Sequence, residues 1–433
     1  MRVLIVGGGG REHALAWKLR RDDPGVELLA APGNAGIAAI ARCVRVAATD
    51  VPGLVALAET ERADLTIIGP EGPLAAGVVD RFRAKRLPIF GPTQAAAAIE
   101  SSKVFAKRVM LDAGVPTARA ESHTDPQQAR RAVRSFGAPV VIKASGLAAG
   151  KGVTVAETIE DADRAIDGML TQRLFGDAGT EILVEEYMAG EEVSLHFLTD
   201  GTAWVPFVPA QDHKRLLDGD RGPNTGDMGA YAPVSPGAAS TDWPDLVTVV
   251  AARIVEPTLD ALRTRGSPFT GVLYAGLMIT AEGPKVVEFN CRMGDPEGQV
   301  ILPLTPFPVL PLMMAVARSD RLTPPAWESS VTQSAVTTVV AAPGYPAHPR
   351  VGDTIRLPDV PAGMYVFHAG TARNAAGELV TAGGRVLAVT AVAADLSDAQ
   401  RTSADYAARV EFPGKHFRTD IAWRELARHA RAS

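Results

Sequence analysis

Lys143–Val155 reads "KASGLAAGKGVTV", a glycine-rich run bracketed by two lysines. Such a stretch suits a phosphate, and the kind of phosphate site it forms decides the fold. A P-loop needs G-x-x-x-x-G-K-[ST] between a strand and a helix. Here Gly146 lies only four residues before Gly150, and Gly152, not Ser or Thr, follows Lys151. The next residues, "GVTVAE", alternate β-branched and small side chains, as a strand does and a helix does not. The segment is therefore expected to join two antiparallel strands as a flap. Lys143 on the first strand and Lys151 on the flap would both reach a polyphosphate, and Lys103 would approach from outside.

The N-terminal "MRVLIVGGGGREHALAW" offers a second glycine turn. A dinucleotide fingerprint would place a third glycine where Glu12 stands, and "VELLAA" runs into "PGNAG" with no acidic residue for a ribose. Nicotinamide binding is not supported. Backbone amides at a helix start still favour an anion, so Gly8, Gly9 and Gly10 with Arg11 are candidates for a substrate phosphate. A plain βα turn is the alternative.

Around these motifs the first hundred residues alternate short apolar strands with helices ("RVLIV", "VELLAA", "DLTIIG", "PIFG"), the pattern of a doubly wound parallel sheet. "PLAAGVVDRFRAK" reads as one helix. Ser101 or Ser102 can cap a helix that Gly114 ends. Residues 120–191 read as a small αβ lid, and the chain after about 330 as an α+β domain. The expected division is 1–101, 102–328 and 329–433.

The chain has 433 residues, too many for one core. A net charge of -5 without a basic run argues against a nucleic-acid partner. Two cysteines, Cys43 and Cys291, are too few for a zinc cage or a disulfide framework and fit a reducing, cytoplasmic setting. No signal peptide and no apolar membrane span is read.

Two further segments carry chemistry. In "ILVEEYMAGEE" a strand can pair its backbone with a nucleobase while a carboxylate among Glu185, Glu186, Glu191 and Glu192 holds the ribose. In "KVVEFNCRMGDPE" strand alternation puts Glu288 and Asn290 on one face and Phe289 on the other. A carboxylate and an amide oxygen two residues apart suit Mg²⁺, which keeps waters and phosphates in its shell. Arg292 would share that face and stabilise a transferred phosphoryl group. The loop from Gln211 to Pro233 is too long and glycine-rich to be regular throughout. Its His213 reads as a structural hydrogen-bonder rather than a catalyst.

These motifs resemble the glycinamide ribonucleotide synthetase (phosphoribosylamine–glycine ligase) family of the ATP-grasp superfamily over essentially the whole chain. The segments that carry the resemblance include "GGGGREHALAWKL", "APGNAG", "VIKASGLAAGKGV", "EEYMAGEEVS", "QDHKR", "GPNTGDMGAY", "EFNCRMGDPE" and "GGRVLAVTA". The resemblance implies three parts: a Rossmann-like N-terminal domain, an ATP-grasp core with a lid, and a C-terminal α+β domain. It implies that ATP, glycine and 5-phosphoribosylamine give glycinamide ribonucleotide, ADP and phosphate through a glycyl phosphate. ATP would meet Lys103, Lys143, Lys151, Glu185, the backbones of Glu186 and Met188, and Glu192. Glu288 and Asn290 would hold Mg²⁺ or Mn²⁺. Arg292 and Lys151 would serve the transfer, with Asp212 and Lys214 catalytic. Asp212, Lys214, Asn224, Thr225 and Asp295 would meet glycine and the amine. The ribosylamine phosphate would lie near Arg11 and Asn34. A monomer is implied. An ATP-grasp ligase of another acid or amine, and a non-catalytic nucleotide-responsive scaffold, are the alternatives. The chain departs from the family at Ser101, Ser145, Asp227 and Gly298, where the family has Gly, Asp, Gly and Thr.

Overall fold

The computed structural model describes residues 1–148, 152–235, 243–325 and 331–432. Lys151, at the flap tip, lies outside them. Apolar segments of two to six residues, separated by helices, build the N-terminal sheet. Its five strands are all parallel and run in the order Arg42–Cys43, Glu27–Pro32, Arg2–Gly7, Leu65–Ile68, Ile89–Phe90. The order in which strands are added reverses between Arg2–Gly7 and Leu65–Ile68, so the crevice at their carboxyl ends is where such sheets bind ligands. Here Glu12 fills it. A Cβ on Gly69 would stand 2.1 Å from the Glu12 carboxylate. The expected single helix over 73–85 is two, Glu71–Ala75 and Val78–Ala84, because Gly77 adopts φ +79° and breaks the ladder. Ser102, not Ser101, caps the helix Lys103–Asp112, its hydroxyl accepting from the Phe105 amide.

The flap strands form as expected. Val140–Ala144 pairs antiparallel with Val153–Ala156 inside a four-stranded lid sheet completed by Ile182–Glu186 and Ala120–His123. A second antiparallel sheet runs Trp204–Pro206, Glu191–Thr199, Gly271–Thr280, Gly283–Asn290. Its last pair carries a bulge: Gly276 faces Glu288, yet Leu277 faces Val286. The extra residue puts Val286 and Phe289, three apart, in the same core, and leaves Glu288 and Asn290 on the opposite face.

The third sheet crosses the boundary drawn from sequence. Gln211–Asp212 and Gly229–Ala232 pair with Ser334–Ala341, Arg385–Ala393 and Met364–His368 in one five-stranded sheet. The long 211–233 loop is thus fastened to the C-terminal segment at both ends. Arg418 makes the second fastening. It is fully buried, gives two hydrogen bonds to Asp420 at 2.7 and 2.9 Å and one to Asp220 at 2.8 Å, and reaches the Arg215 carbonyl at 3.1 Å. Arg418→Ala would leave the part-exposed carboxylates of Asp220 and Asp420 without their buried partner, which costs about 1–3 kcal/mol. A fall in thermal midpoint is expected, and a midpoint unchanged in scanning calorimetry would show that the loop does not depend on it. His213 is buried and accepts from the Ala422 amide at 3.0 Å, the structural role its sequence context indicates. Cys43 and Cys291 are free thiols. Among the described residues, no helix is long and apolar enough to cross a membrane.

Candidate active site

The flap strand and the carboxylate strand meet. The Lys143 ammonium donates to the Val287 carbonyl at 3.0 Å, a group the bulge turns toward the lid. It also pairs with Glu185 at 2.7 Å, whose other oxygen takes Lys107 at 2.9 Å. Burial disfavours the Lys143 charge, but Glu185, then Glu288 and Glu192, outweigh it, and its pKa is raised. Lys143 therefore stays cationic where the two strands meet. Glu185 is buried between the two lysines and holds them rather than a ribose. Lys107 was not singled out in the sequence. Its spacing of four from Lys103 on one helix was the available signal.

Lys103 opens its helix at the flap root. Its amide donates to the Ser145 carbonyl at 2.8 Å, and its ammonium lies 3.5 Å from the Gly146 carbonyl. The Ser145 hydroxyl accepts from the Val104 amide at 3.4 Å, so this departure keeps an oxygen at the helix start. A Cβ on Gly146 would sit 2.6 Å from the Ala178 backbone, which is why the flap root closes on the 176–179 turn only with glycine.

On the adjoining strand, the Glu186 amide donates to the Arg119 carbonyl and its carboxylate pairs with Arg119 at 2.6 Å. Only its carbonyl is left for a base edge. Met188 is buried beside it. Glu192 is half exposed and bonds Lys214 at 2.5 Å, and Lys214 bonds Asp212 at 2.7 Å. This chain of charges joins the expected ribose position to the expected glycine position.

Glu288 is half buried, and its carboxylate makes no hydrogen bond or ion pair among the described residues. An uncommitted carboxylate two residues from an amide oxygen fits a hard cation. Among the described residues no set of three His, Cys, Asp or Glu side chains forms a cage, so phosphate and water oxygens would complete the shell. The Asn290 oxygen accepts from Arg292 at 3.3 Å. Arg292 also holds Glu100 at 2.9 Å and Glu71 at 3.2 Å, and these two acids, absent from the sequence reading, raise its pKa against burial.

At the N-terminal turn the arrangement differs from expectation. Glu12 accepts from the Gly9 amide at 2.6 Å and from Arg11 at 2.6 Å, and Arg11 also donates to the Met293 carbonyl at 3.0 Å. The helix start already carries a carboxylate, and Arg11 is buried and turned inward. The Asn34 amide donates to the Gly8 and His368 carbonyls at 2.9 and 2.7 Å, and its oxygen accepts two amides. It staples the turn to the C-terminal sheet. Asp295 pairs with Arg385 at 3.1 Å and Gln299 at 2.7 Å. Thr225 is buried against the Lys214 carbonyl, and Asn224 is exposed. Arg385 lies in the quoted "GGRVLAVTA" stretch, but nothing in its spacing indicated a site.

Three family descriptions match in register with these units: phosphoribosylglycinamide synthetase N domain over 1–100, ATP-grasp (A) domain over 101–298, and C domain over 335–424. The chain belongs to the phosphoribosylglycinamide synthetase family. It is 47% identical over 432 residues to the phosphoribosylamine–glycine ligase of Xanthomonas campestris pv. campestris, covering 99% of each chain. It is also 47% identical to that of Streptomyces coelicolor, over 98% of this chain and 99% of the relative. The crystal structure of the Thermotoga maritima phosphoribosylamine–glycine ligase superposes with a TM-score of 0.83 at 33% identity, covering 98% of this chain and all of that one. The biotin carboxylase domain of Hydrogenobacter thermophilus 2-oxoglutarate carboxylase, a complex with MgADP, shares the fold at a TM-score of 0.72 and 17% identity. That match covers 96% of this chain and 91% of that one.

Proposed function

We infer that the chain is an ATP-dependent phosphoribosylamine–glycine ligase. It activates the glycine carboxylate with the ATP γ-phosphate and transfers the glycyl group to the amine of 5-phosphoribosylamine, a step of purine synthesis. The observation that carries this reading is the meeting of the flap strand and the carboxylate strand at Lys143 and Val287. A buried cation and an uncommitted carboxylate that interact with each other support a phosphate-and-cation site there.

In our assignment Lys103, Lys143 and the flap Lys151 hold the triphosphate, with the Glu186 carbonyl and Met188 at adenine and Glu192 at the ribose. Glu288 and Asn290 would hold Mg²⁺ or Mn²⁺, which when bound neutralises the phosphates. Arg292 faces the transferring group. Asp212, Lys214, Asn224, Thr225 and Asp295 surround glycine and the amine, Asp212 and Lys214 acting on protons there. We place the ribosylamine phosphate at the outer rim of the Gly8–Gly10 turn near Asn34, since Arg11 is already partnered. The functional units are 1–101, 102–328 with the lid at 120–191, and 329–433. The enzyme works as a cytoplasmic monomer without nucleic acid or membrane.

ADP release by the purified protein tests the reading. It should require all three substrates and fall to background when alanine or serine replaces glycine. Equal rates with another small acid would move the substrate class, and no release with all three would leave a nucleotide-responsive scaffold.

A further inference from the structure

Asp227 sits in the left-handed backbone region at φ +80°, where Gly and Asn are at ease and Asp is tolerated. The conformation is imposed from the neighbouring peptide. The Tyr345 hydroxyl accepts from the Gly226 amide at 2.8 Å, Arg385 donates to the Gly226 carbonyl, and the Thr225 hydroxyl takes the Asp227 amide at 3.0 Å. So fixed, Asp227 follows Thr225, whose hydroxyl bonds the Lys214 carbonyl at 2.9 Å, and its carboxyl interacts with the Asp212–Lys214 pair. The groups facing it are Asp212 and Lys214 from the 211–215 segment, Glu297 from the turn before the Gly298–Leu304 helix, and Arg385 and Tyr345 from the C-terminal part.

Two carboxylates in contact cannot both stay charged at low cost. Lys214 is bonded to Asp212 and so fixes the charge there. A second observation points to a ligand. Glu297 is 2% exposed, and its Oε2 finds no hydrogen-bond partner among the described residues. Burial and the Asp212 charge raise the Glu297 pKa; a buried carboxyl oxygen left without a partner is a place for a polar group of a ligand, and the ammonium of a small α-amino acid is one.

We propose that Asp227 is a positioning residue for the amino-acid substrate: it carries a proton that it donates to Asp212, so that the Asp212–Asp227 pair bears one negative charge and holds Asp212 toward the incoming ammonium beside Glu297. The proposal rests on the ligase reading above. The electrostatics run the same way: burial and then the Asp212 charge raise the Asp227 pKa well above the carboxylate range, and Lys214 followed by Asp227 lowers that of Asp212 against burial.

The sign follows. A carboxyl raised in the folded state contributes stability that is fully present below the ordinary carboxylate range. That stability is lost as pH rises through the raised folded value. Asp227→Asn keeps a hydrogen-bond donor, removes the titration and suits the positive φ, so it folds. Its thermal midpoint relative to wild type is expected to gain steadily from about pH 5 to about pH 9. A gap constant over that range overturns the proposal, whatever the enzyme does with glycine. In turnover assays the wild-type glycine KM should rise about tenfold over the same range, as ionised Asp227 releases Asp212 and repels the substrate carboxylate. Asp227→Asn, which keeps a donor, should give a flat profile, and Asp227→Gly, which loses it, should give a glycine KM that is raised and flat across the range. Wild-type and variant profiles that run parallel also overturn it. Absent glycine-dependent turnover in all three proteins sinks the ligase reading instead, and the midpoint series still decides the protonation.

Discussion

Glu288→Ala is expected to lower kcat by about 10³-fold with little change in thermal midpoint. Neutralising charge on a transferring phosphoryl group with a bound cation contributes several kcal/mol, and each ~1.4 kcal/mol is tenfold in rate. The fold should not notice the change. The Glu288 side chain makes no hydrogen bond or ion pair among the described residues, and it lies on the face of its strand away from the Phe289 core. Surface substitutions free of such partners shift stability by about 0.5 kcal/mol or less. Steady-state turnover at several Mg²⁺ concentrations checks it. A variant that keeps most of its rate at saturating metal would remove Glu288 from the cation. A variant that loses midpoint in step with rate would make the residue part of the bulge rather than of the chemistry.

The flap, the parallel N-terminal sheet and the alternation of Glu288 and Asn290 were legible because each is a local pattern. Strand periodicity and glycine spacing state them within a dozen residues. The bulge at Val286–Glu288 was not legible, yet it is what points the Val287 carbonyl at Lys143. Bulges answer to the partner strand, here Gly276, and leave no period of their own. The partners that settle each charged group were equally hidden. Glu100 and Glu71 reach Arg292 from 192 or more residues away in sequence, and Arg385 reaches Asp295 across 90. Ion pairs at such separations carry no spacing rule. The same blindness explains the N-terminal turn. Glycines at a helix start announced an anion site, and the structure answers with Glu12, a carboxylate from the chain itself. The joining of the 211–233 segment to the C-terminal sheet was hidden for a related reason. Short strands such as Gln211–Asp212 take their sheet from whatever edge tertiary packing offers, which propensity does not encode.

Arg292→Lys is expected to lower kcat by about 10²-fold, the loss associated with one preorganised donor to developing charge. The wild-type guanidinium bridges four acceptors at once. It meets Glu100 at 2.9 Å, Glu71 and the Met293 carbonyl at 3.2 Å, and the Asn290 oxygen at 3.3 Å. A planar fork can do this, and an ammonium on a flexible stem cannot. Lysine would keep a positive charge but give up the contact to Asn290 or to an acid, so the strand that carries Glu288 and Asn290 loses its brace. Glu100 would still accept from the Cys291 amide at 2.8 Å, and the half-buried Glu71 would face water. The cost to folding is then about 1–3 kcal/mol, as for one buried partner left short. Burial raises the Glu71 pKa, and Arg292 followed by Arg11 brings it below the ordinary carboxylate value. The stability from that pair is present above the ordinary range and is lost as pH falls through the lowered folded value. The midpoint deficit of the variant should therefore be largest near neutrality and shrink toward acid. Kinetics and calorimetry on one preparation separate the two roles: unchanged kcat beside a lowered midpoint would make Arg292 a strut between Glu71, Glu100 and Asn290. A kcat loss that persists where the midpoint deficit has closed would place its charge at the transferring phosphoryl group.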